Sequence, residues 1–470
     1  MTNFSPPDWI EARSYQREAI QNWLNADGRG ILRMATGTGK TITALLAAAH
    51  VARSLDGKLV LVIAVPYQHL VDQWADEVSG FGATPILAYQ SRRNWQPTLE
   101  RELLEFNNGV RDTCVVITTH RTLAGDGARQ TLRRTTGRMM LIGDEVHHLG
   151  APQTQNALMD AVDLRLGLSA TPERWYDDEG TDVLDTYFGG TVFDYGLQAA
   201  IEAGALCEYY YIPHIVELQD DEMEVYLELT EKIGRLMARQ DDDGSPNLEE
   251  NPALKTALFK RARLIGTARE KLSLLVDLLR RQSDPKHTLV YCSDGSTGID
   301  VKGTRHVDAT TERLRSDLGL SVERFTARED QAERESLLAS FDAGDIEVLT
   351  SIRCLDEGVD VPATRTAYIL ASTSNPRQYI QRRGRILRQH AGKKYAVIHD
   401  FITVPDTSRH PELHSDERYR AEENLIESEL ERVSTFAEGA RNHPDADVDG
   451  VPTSSTSLRE VKRRYGLLTE

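Results

Sequence analysis

The chain has 470 residues, of which 40% are hydrophobic and 27% charged, and its formal net charge is −18. This length predicts about two or three domains, and the strong acidity excludes binding of nucleic acid by the surface as a whole. The sequence offers no candidate membrane span or secretion signal, and its four cysteines form no CxxC pair. We therefore expect a cytoplasmic protein without a membrane partner or a zinc ribbon.

Short apolar, β-branched runs alternate with helical patterns, which predicts parallel α/β sheets. The first set is GILRMA, KLVLVIAVP, TPILAY, TCVVITTH, RMMLIGDE and LRLGLSATP; the second is EYYYIPHIVEL, HTLVYCSD, SVERFTA, IEVLTSI, TRTAYIL and KYAVIHDF. Two such sets predict two doubly wound domains, at residues 1–205 and 206–402. We expect a helical insertion at about 219–262 and a helical C-terminal extension at 403–470.

The first segment with a chemical signature is RMATGTGKT, residues 33–41, between a predicted strand and an alanine-rich helix. Glycines let backbone amides approach a phosphate chain, and the helix N-terminus adds partial positive charge. Lys40 would reach the β- and γ-phosphates, and the Thr41 hydroxyl would hold Mg²⁺. Met34 replaces the first glycine of the strict pattern. The alternative, a glycine-rich turn without a ligand, is weaker because the strand–loop–helix context is correct.

The segment LIGDEVHHLG, residues 141–150, places Asp144 and Glu145 beside His147 and His148. A zinc site would need histidines on one helical face and a third ligand, whereas adjacent histidines point in different directions. A carboxylate that follows a strand suits a magnesium ligand, and the acid next to it can deprotonate an attacking water. The pattern therefore favours nucleotide hydrolysis. His147 is interpreted as a polar link between the two domains.

Two runs of basic residues interrupt the acidic sequence. Residues 121–138 contain five basic side chains and one acid, and residues 377–394 contain seven and none. Such runs are usually solvated surfaces. The second run includes QRRGRILR, which makes a catalytic role an alternative.

These motifs occur together and in order, and in this the chain resembles superfamily 2 helicases and translocases of the DExH kind. RSYQREAI resembles the adenine-reading segment, ATGTGKT motif I, DEVH motif II and LSATP motif III. VPYQHLVDQW and TTHRTL resemble the nucleic-acid segments of the first domain. LVYCSD, SIRCLDEGVDVP and QYIQRRGRILR resemble motifs IV, V and VI. The resemblance implies two tandem RecA-like domains with ATP between them.

The resemblance also implies roles for individual residues. It places at the nucleotide Gln16, Thr36, Gly37, Thr38, Gly39, Lys40, Thr41, Gly358 and Asp360. It places Thr41 and Asp144 at Mg²⁺. Its catalytic residues are Lys40, Glu145, His147, Gln381 and the arginine fingers Arg385 and Arg388. Its candidate contacts to nucleic acid, together with those of the first basic run, are Gln73, Thr119, Arg121, Arg133 and Arg134.

Motifs II and V distinguish among kinds of helicase. DEVHH and EGVDVP depart from the DEAD-box forms and resemble those of XPB-like helicases and of helicases in restriction and defence systems, including phosphorothioation-linked ones. The sequence thus predicts an ATP-dependent motor on double-stranded DNA, acting in defence or repair with a partner such as a nuclease. An RNA helicase and a nucleotide-gated clamp that recruits a partner remain alternatives.

Overall fold

The computed structural model describes residues 4–174, 177–238, 251–296, 304–326, 328–352, 361–371, 376–405, 416–453 and 458–464. The chain divides into two compact units, residues 1–200 and 201–470; the sequence prediction placed the boundary at residue 205. Each unit is built on an all-parallel sheet, which confirms the predicted α/β class.

The sheet of the first unit has seven strands in the order β3-β4-β2-β5-β6-β1-β7. They are β1 (Arg29–Met34), β2 (Leu59–Val65), β3 (Ile86–Ala88), β4 (Thr113–Thr119), β5 (Arg138–Asp144), β6 (Leu164–Ser169) and β7 (Thr191–Tyr195). Every residue of β2 is buried, as expected for a parallel strand covered on both faces. Six strands match the predicted runs, and β7 was not predicted.

Helices connect these strands, and their apolar faces form the core of the unit. They are α1 (Ser14–Asn25), α2 (Lys40–Ser54), α3 (Gln68–Gly80), α4 (Arg92–Asn107), α5 (His120–Ala124), α6 (Asp126–Leu132), α7 (Asp178–Phe188) and α8 (Leu197–Glu202). A short 3-10 turn, Val146–His148, follows β5. Because α2 begins directly after the glycine-rich loop, the loop and the N-terminus of this helix are adjacent.

The sheet of the second unit has six strands in the order β10-β11-β9-β12-β13-β8. They are β8 (Glu208–Glu217), β9 (Thr288–Tyr291), β10 (Val322–Phe325), β11 (Val348–Ser351), β12 (Thr366–Ile369) and β13 (Tyr395–Val404). All six match predicted runs. In the described residues the edge strand β8 pairs with β13 alone, over its full length.

Helices of the second unit occupy the predicted insertion, the sheet connections and the C-terminal extension. They are α9 (Asp220–Met237), α10 (Pro252–Gly266), α11 (Arg269–Arg281), α12 (His306–Leu318), α13 (Gln331–Ala343), α14 (Pro376–Ile386), α15 (Asp416–Ala437) and α16 (Leu458–Arg464). The pair α9 and α10 lies where the insertion was expected, and α15 packs on β13 and β8. None of the helices in the described ranges has the length and apolarity that a bilayer crossing needs.

Candidate active site

The predicted catalytic segments of the first unit meet at one edge of its sheet. Strands β5, β6 and β1 are consecutive neighbours, and parallel strands present their carboxyl ends at the same edge. The glycine-rich loop follows β1, Asp144 and Glu145 follow β5, and Ser169 ends β6. The topology therefore brings motifs I, II and III together.

The glycine-rich loop has the backbone expected of a phosphate cradle. Gly37 and Gly39 have φ values of 89° and 81°, a left-handed conformation that glycine adopts without steric cost. The Thr38 hydroxyl donates to Ala35 O at 2.7 Å and stabilises the turn. Thr36 is buried, and its hydroxyl has no hydrogen-bond partner among the described residues. A phosphate oxygen would give this hydroxyl the partner that buried polar groups need.

Gln16, predicted to read adenine, connects α1 to the glycine-rich loop. Its Oε1 accepts from the Arg13 N–H at 2.9 Å, and its Nε2 donates to Thr43 Oγ1 at 3.1 Å. A Cβ at Gly39 would lie 3.1 Å from that Nε2, so glycine is needed there for close packing as well. The neighbouring Tyr15 hydroxyl donates to Thr38 O at 2.8 Å. The segment supports the loop, and its contact with adenine stays a prediction.

Lys40 begins α2 and points its ammonium toward the predicted general base. Lys40 Nζ lies 3.3 Å from Met34 O and 3.7 Å from Glu145 Oε1. Both charged side chains are largely buried, at 11% and 14% exposed. Burying an ion pair is unfavourable because both charges lose their hydration, unless further hydrogen bonds or charges compensate for that loss. The pair therefore suits a site where a charged ligand completes the contacts.

The backbone holds Asp144 and Glu145 in different conformations. Glu145 has φ 45° and ψ 57°, an uncommon left-handed conformation for a residue with a side chain. Asp144 Oδ1 accepts from the Glu145 N–H at 3.0 Å, and Oδ2 accepts from Trp74 Nε1 at 2.9 Å. Burial, and next the Glu145 carboxylate, raise the pKa of Asp144 to about 6, while Trp74 and Lys40 oppose the shift.

A hydrogen-bonded array joins motif II to motif III. Ser169 Oγ lies 3.5 Å from Glu145 Oε2, and His147 Nδ1 lies 3.5 Å from the same oxygen and 3.3 Å from Ser169 Oγ. The Thr171 N–H donates to Ser169 Oγ at 3.1 Å. Arg174 donates to the carbonyl of His147. The acid predicted to deprotonate water is thus oriented by a serine and a histidine, as a general base requires.

The residues predicted to hold Mg²⁺ fit that ion. Thr41 and Asp144 supply hard oxygen donors, and Mg²⁺ binds through one or two carboxylates plus phosphates and waters. A cation would relieve the repulsion between Asp144 and Glu145 that raises the pKa of Asp144. Within the described residues there is no group of three or more histidine, cysteine, aspartate and glutamate side chains that could hold a metal.

Motif VI forms α14 in the second unit and is not a solvated basic helix. Gln381, Arg382, Arg383 and Arg385 are all buried. Arg382 donates to Ala371 O at 3.4 Å and lies over the Tyr291 ring.

The three predicted catalytic residues of this segment recur at helical spacing. Gln381, Arg385 and Arg388 therefore share one side of α14 and of the turn that follows it. Gln381 Nε2 is buried without a hydrogen-bond partner among the described residues. Arg388 forms an antiparallel bridge with Leu206. Gly358 and Asp360, predicted at the ribose, lie outside the described residues.

The predicted nucleic-acid residues lie at two different edges of the first sheet. Thr119 and Arg121 follow β4, and Gln73 lies on α3, which follows the neighbouring strand β2. Gln73 and Arg121 are exposed, whereas the Thr119 hydroxyl is buried and accepts from the Thr122 N–H at the start of α5.

Arg133 and Arg134 lie at the opposite, amino edge of this sheet. Both are exposed, and the carbonyl of Arg134 accepts from Asn107 Nδ2 at 2.9 Å. Asn107 ends the helix that leads into the start of β4, and Arg138 begins β5. The structure does not bring these two arginines together with Gln73 and Arg121. Two short helices, α5 and α6, carry the chain across the sheet between Thr119 and Arg133.

One basic feature of the second unit was not predicted from the sequence. Helix α10 carries four basic residues and no acidic residue; of these, Lys255, Lys260 and Arg263 are exposed, and Arg263 pairs with Asp294 at 3.1 Å. The signal available was the absence of acids over residues 252–266 in a chain of net charge −18.

Comparison with known proteins agrees with this arrangement. The family model of the type III restriction enzyme res subunit matches residues 9–174, and that of the helicase conserved C-terminal domain matches residues 270–390. In these two matched regions the chain resembles superfamily 2 helicases. The helicase domains correspond to the two α/β units, and the chain resembles XPB-like and restriction-enzyme helicases, as its motifs predicted.

Similar proteins include archaeal DNA translocases and helicases and a bacterial restriction enzyme subunit. The DNA 3'-5' translocase XPB2 of Sulfurisphaera tokodaii is 27% identical over 84% of this chain and 82% of its own length. A putative DNA 3'-5' helicase Rad25 of Haloarcula marismortui is 24% identical over 83% of this chain and 52% of its own length. The structure of the ATP-dependent type ISP restriction-modification enzyme LlaBIII bound to DNA matches 97% of this chain and 32% of that one, with a TM-score of 0.60 and 17% identity. This last likeness shows the fold alone.

Proposed function

We propose that the chain is an ATP-driven motor that moves along double-stranded DNA. One observation carries the proposal: Lys40, Asp144, Glu145 and Ser169 converge at the carboxyl ends of three adjacent strands, and motif II is hydrogen-bonded to motif III. A site that hydrolyses ATP needs a phosphate cradle and an oriented base, and this arrangement supplies both. Through the contact between motifs II and III, ATP hydrolysis can change the conformation of the rest of the domain.

Each residue of the array has a distinct task in hydrolysis. The loop from Thr36 to Gly39 and the Lys40 ammonium bind the phosphates of ATP. Glu145 accepts the proton of the attacking water while Ser169 and His147 hold its carboxylate in place. Thr41 and Asp144 would hold Mg²⁺, which neutralises phosphate charge when bound.

The second unit supplies Gln381, Arg385 and Arg388. The guanidinium groups of the two arginines offset the charge that builds on the transferred phosphoryl group, an effect of about 10³–10⁵ in rate for arginine fingers of NTPases. Gln381 orients the water, and its buried amide without a partner among the described residues is suited to such a ligand. Gly358 and Asp360 are proposed to contact the ribose.

The named relatives support DNA as the substrate, because XPB2 is a DNA translocase and Rad25 a putative DNA helicase by name. The double-stranded form is our proposal from motifs II and V. Because the chain carries a net charge of −18, binding must rely on local basic surfaces. The exposed lysines of α10 form such a surface in the second unit. We propose a role in defence or repair in which a partner cuts or repairs the DNA.

The decisive experiment measures ATPase rate against duplex DNA, single-stranded DNA and RNA, together with triplex displacement. Triplex displacement detects movement along a duplex without strand separation. We expect stimulation by duplex DNA and ATP-dependent displacement, both absent in Glu145→Gln. Stimulation by RNA alone would contradict the DNA substrate. Duplex-stimulated hydrolysis without displacement would contradict translocation and indicate a nucleotide-gated clamp.

A further inference from the structure

The motif VI helix α14 carries an arginine to which the motif assigns no task. Arg383 is buried, at 5% exposed. At 100° per residue, it projects about 160° away from Arg385 around the helix axis. Arg383 therefore points away from this predicted finger, and its partners lie on the opposite side of α14.

Those partners are the last carbonyls of the C-terminal helix α15. Arg383 Nη1 donates to Thr435 O, and it lies 3.4 Å from Glu438 O and 3.4 Å from the Tyr209 hydroxyl. Because α15 ends at Ala437, Thr435 O is among the carbonyls that have no partner within the helix. A cation at a helix C-terminus is also favoured by the helix dipole. Arg383 thus caps α15 from α14.

Aromatic rings fill the space around this cap. The Phe436 ring is fully buried, with its centroid 5.7 Å from the Arg383 guanidinium carbon. It stacks on Tyr211 of β8 at 5.3 Å and packs against Tyr379 of α14 at 5.6 Å. The Tyr209 hydroxyl lies 2.7 Å from Phe436 O. The last turn of α15 is therefore packed against both β8 and α14.

Helix α15 is itself fixed to the sheet by buried charges. Arg432 Nε donates to Asp400 Oδ2 at 2.9 Å, and Arg432 Nη1 donates to Glu429 Oε1 at 2.8 Å. Glu429 Oε2 accepts from the Thr403 N–H of β13 at 2.8 Å. Removing one member of a buried pair is strongly destabilising, because the other charge is left buried without its partner. Helix α15 cannot shift along the sheet without breaking these contacts.

We propose that Arg383 is a positioning residue through which the C-terminal helix α15 fixes the orientation of α14 and hence of the arginine fingers. The inference rests on the proposed function, because it needs Arg385 and Arg388 to act on the phosphoryl group. Fixed donors stabilise a transition state best when no reorganisation is needed at the moment of reaction. A misplacement of about 1 Å can cost about 10²-fold in rate.

The test compares Arg383→Met with the matched control Arg441→Met. Arg441 follows α15 and contacts β8, where it pairs with Glu208 at 2.8 Å and lies over the Tyr210 ring; in the described part of the chain no hydrogen bond, ion pair or ring contact joins it to α14. At saturating duplex DNA and well below the unfolding midpoint, we expect Arg383→Met to lower kcat about tenfold to a hundredfold. The KM for ATP should stay nearly unchanged, and Arg441→Met should keep the wild-type kcat. Arg383→Lys should restore part of the lost rate, because it retains a charged donor.

A second measurement separates positioning from general damage to the fold. In a background that carries both Arg385→Ala and Arg388→Ala, Arg383→Met should lower kcat much less than in the wild type, since it acts through those two groups. An unchanged kcat in Arg383→Met, an effect confined to KM or to the unfolding midpoint, or a full multiplicative loss in the combined variant overturns the inference alone. If Arg385→Ala and Arg388→Ala each keep the wild-type kcat, the finger assignment is wrong and the inference is overturned with it.

Discussion

Glu145 shows how a single backbone conformation shapes the site. Its φ and ψ of 45° and 57° are unfavourable for a residue with a Cβ, by about 1–3 kcal/mol in comparable cases. The turn after β5 brings its carboxylate near Lys40 on one side and near His147 and Ser169 on the other. Strain of this kind persists where surrounding contacts impose it, which is common at catalytic residues.

Replacing Lys40 and replacing Glu145 should impair the ATPase in different ways. Lys40→Ala removes a cation from the phosphate loop, so ATP binding should weaken at least tenfold and turnover should stop. Glu145→Gln keeps the shape but cannot accept a proton, so ATP should bind while hydrolysis falls by two or more orders of magnitude (about 10²–10⁴ for general base catalysis). Nucleotide-binding titrations and single-turnover hydrolysis distinguish the two. Near-normal hydrolysis by Glu145→Gln would remove it as the base.

Arg388→Ala should act on the transition state and spare ATP binding. Its guanidinium is expected to offset charge that appears only as the phosphoryl group transfers, so kcat should fall by about 10²-fold or more with little change in KM. Steady-state kinetics at saturating duplex DNA measure both constants. The exposed Arg235, paired with Glu231 on α9, offers a control: Arg235→Ala should keep the wild-type kcat. A rise in KM alone would show that Arg388 binds the ground state.

The individual residues that sequence predicted best are those with local signals. Spacing within RMATGTGKT and DEVH is enough to identify Lys40 and Glu145, because one turn sets their geometry. The cap made by Arg383 could not be predicted, since its partner Thr435 lies far away in the sequence. Arg133 is close in sequence to Thr119 but lies at the other edge of the sheet, because α5 and α6 separate the two residues.

Among the elements, α15 buries charged as well as apolar side chains. Its buried side includes Ile426 and Val433, as an amphipathic helix requires, together with Glu429 and Arg432. Charged residues on a helix normally face water, and their burial here depends on Asp400 of β13.

The buried charges of α15 make a testable stability prediction. Arg432→Met leaves Asp400 and Glu429 buried without their cation, so it should lower the free energy of unfolding by about 3–5 kcal/mol. Arg235→Met breaks a pair with both side chains more than 60% exposed and should cost less than about 1 kcal/mol. Denaturant unfolding of both variants checks this. Equal effects would mean that the buried network contributes no more than a surface pair.

The strands were largely predictable, and the exception has a physical cause. Buried parallel strands appear in sequence as continuous β-branched runs, which identified twelve of them. The thirteenth, β7, has five residues with alternating burial. Glycines precede and follow it, which made the segment resemble a loop. Its position depends on pairing with β1, a contact that local pattern does not encode.

For the molecule as a whole, buried histidines set the response to acid. Burial lowers the pKa of His120 and His214 to about 3 and that of His306 to about 4, and it lowers the pKa of His399 well below its usual value. The neighbouring His148 adds to the shift of His120, Arg281 to that of His214, Lys271 to that of His306 and His214 to that of His399. All four are therefore neutral in the folded chain at neutral pH.

The expected consequence is a loss of stability as pH falls below about 6.5. Between about pH 4 and 6.5 the unfolded chain binds more protons than the folded chain, so the free energy of unfolding decreases on acidification, by up to about 1.4 kcal/mol per pH unit for each histidine. Denaturant midpoints between pH 5 and 7.5 measure this slope. His306→Asn, which keeps the acceptor for the Ser293 N–H, should reduce it. His443→Gln, at an exposed position, should not; equal slopes in the two variants would refute the assignment.

The pairing of β8 has a consequence for synthesis of the chain on the ribosome. Residues 1–200 form a compact unit and can fold as soon as they emerge. Strand β8 follows at once, but β13, its partner in the described sheet, begins at Tyr395, and translation of about 5–20 residues per second delays that partner by on the order of ten seconds or more. Throughout this interval the proline-free run CEYYYI, rich in aromatic residues, lacks this partner, and such segments are prone to aggregate. Nascent chains halted between β8 and β13 should therefore be the species that chaperones bind.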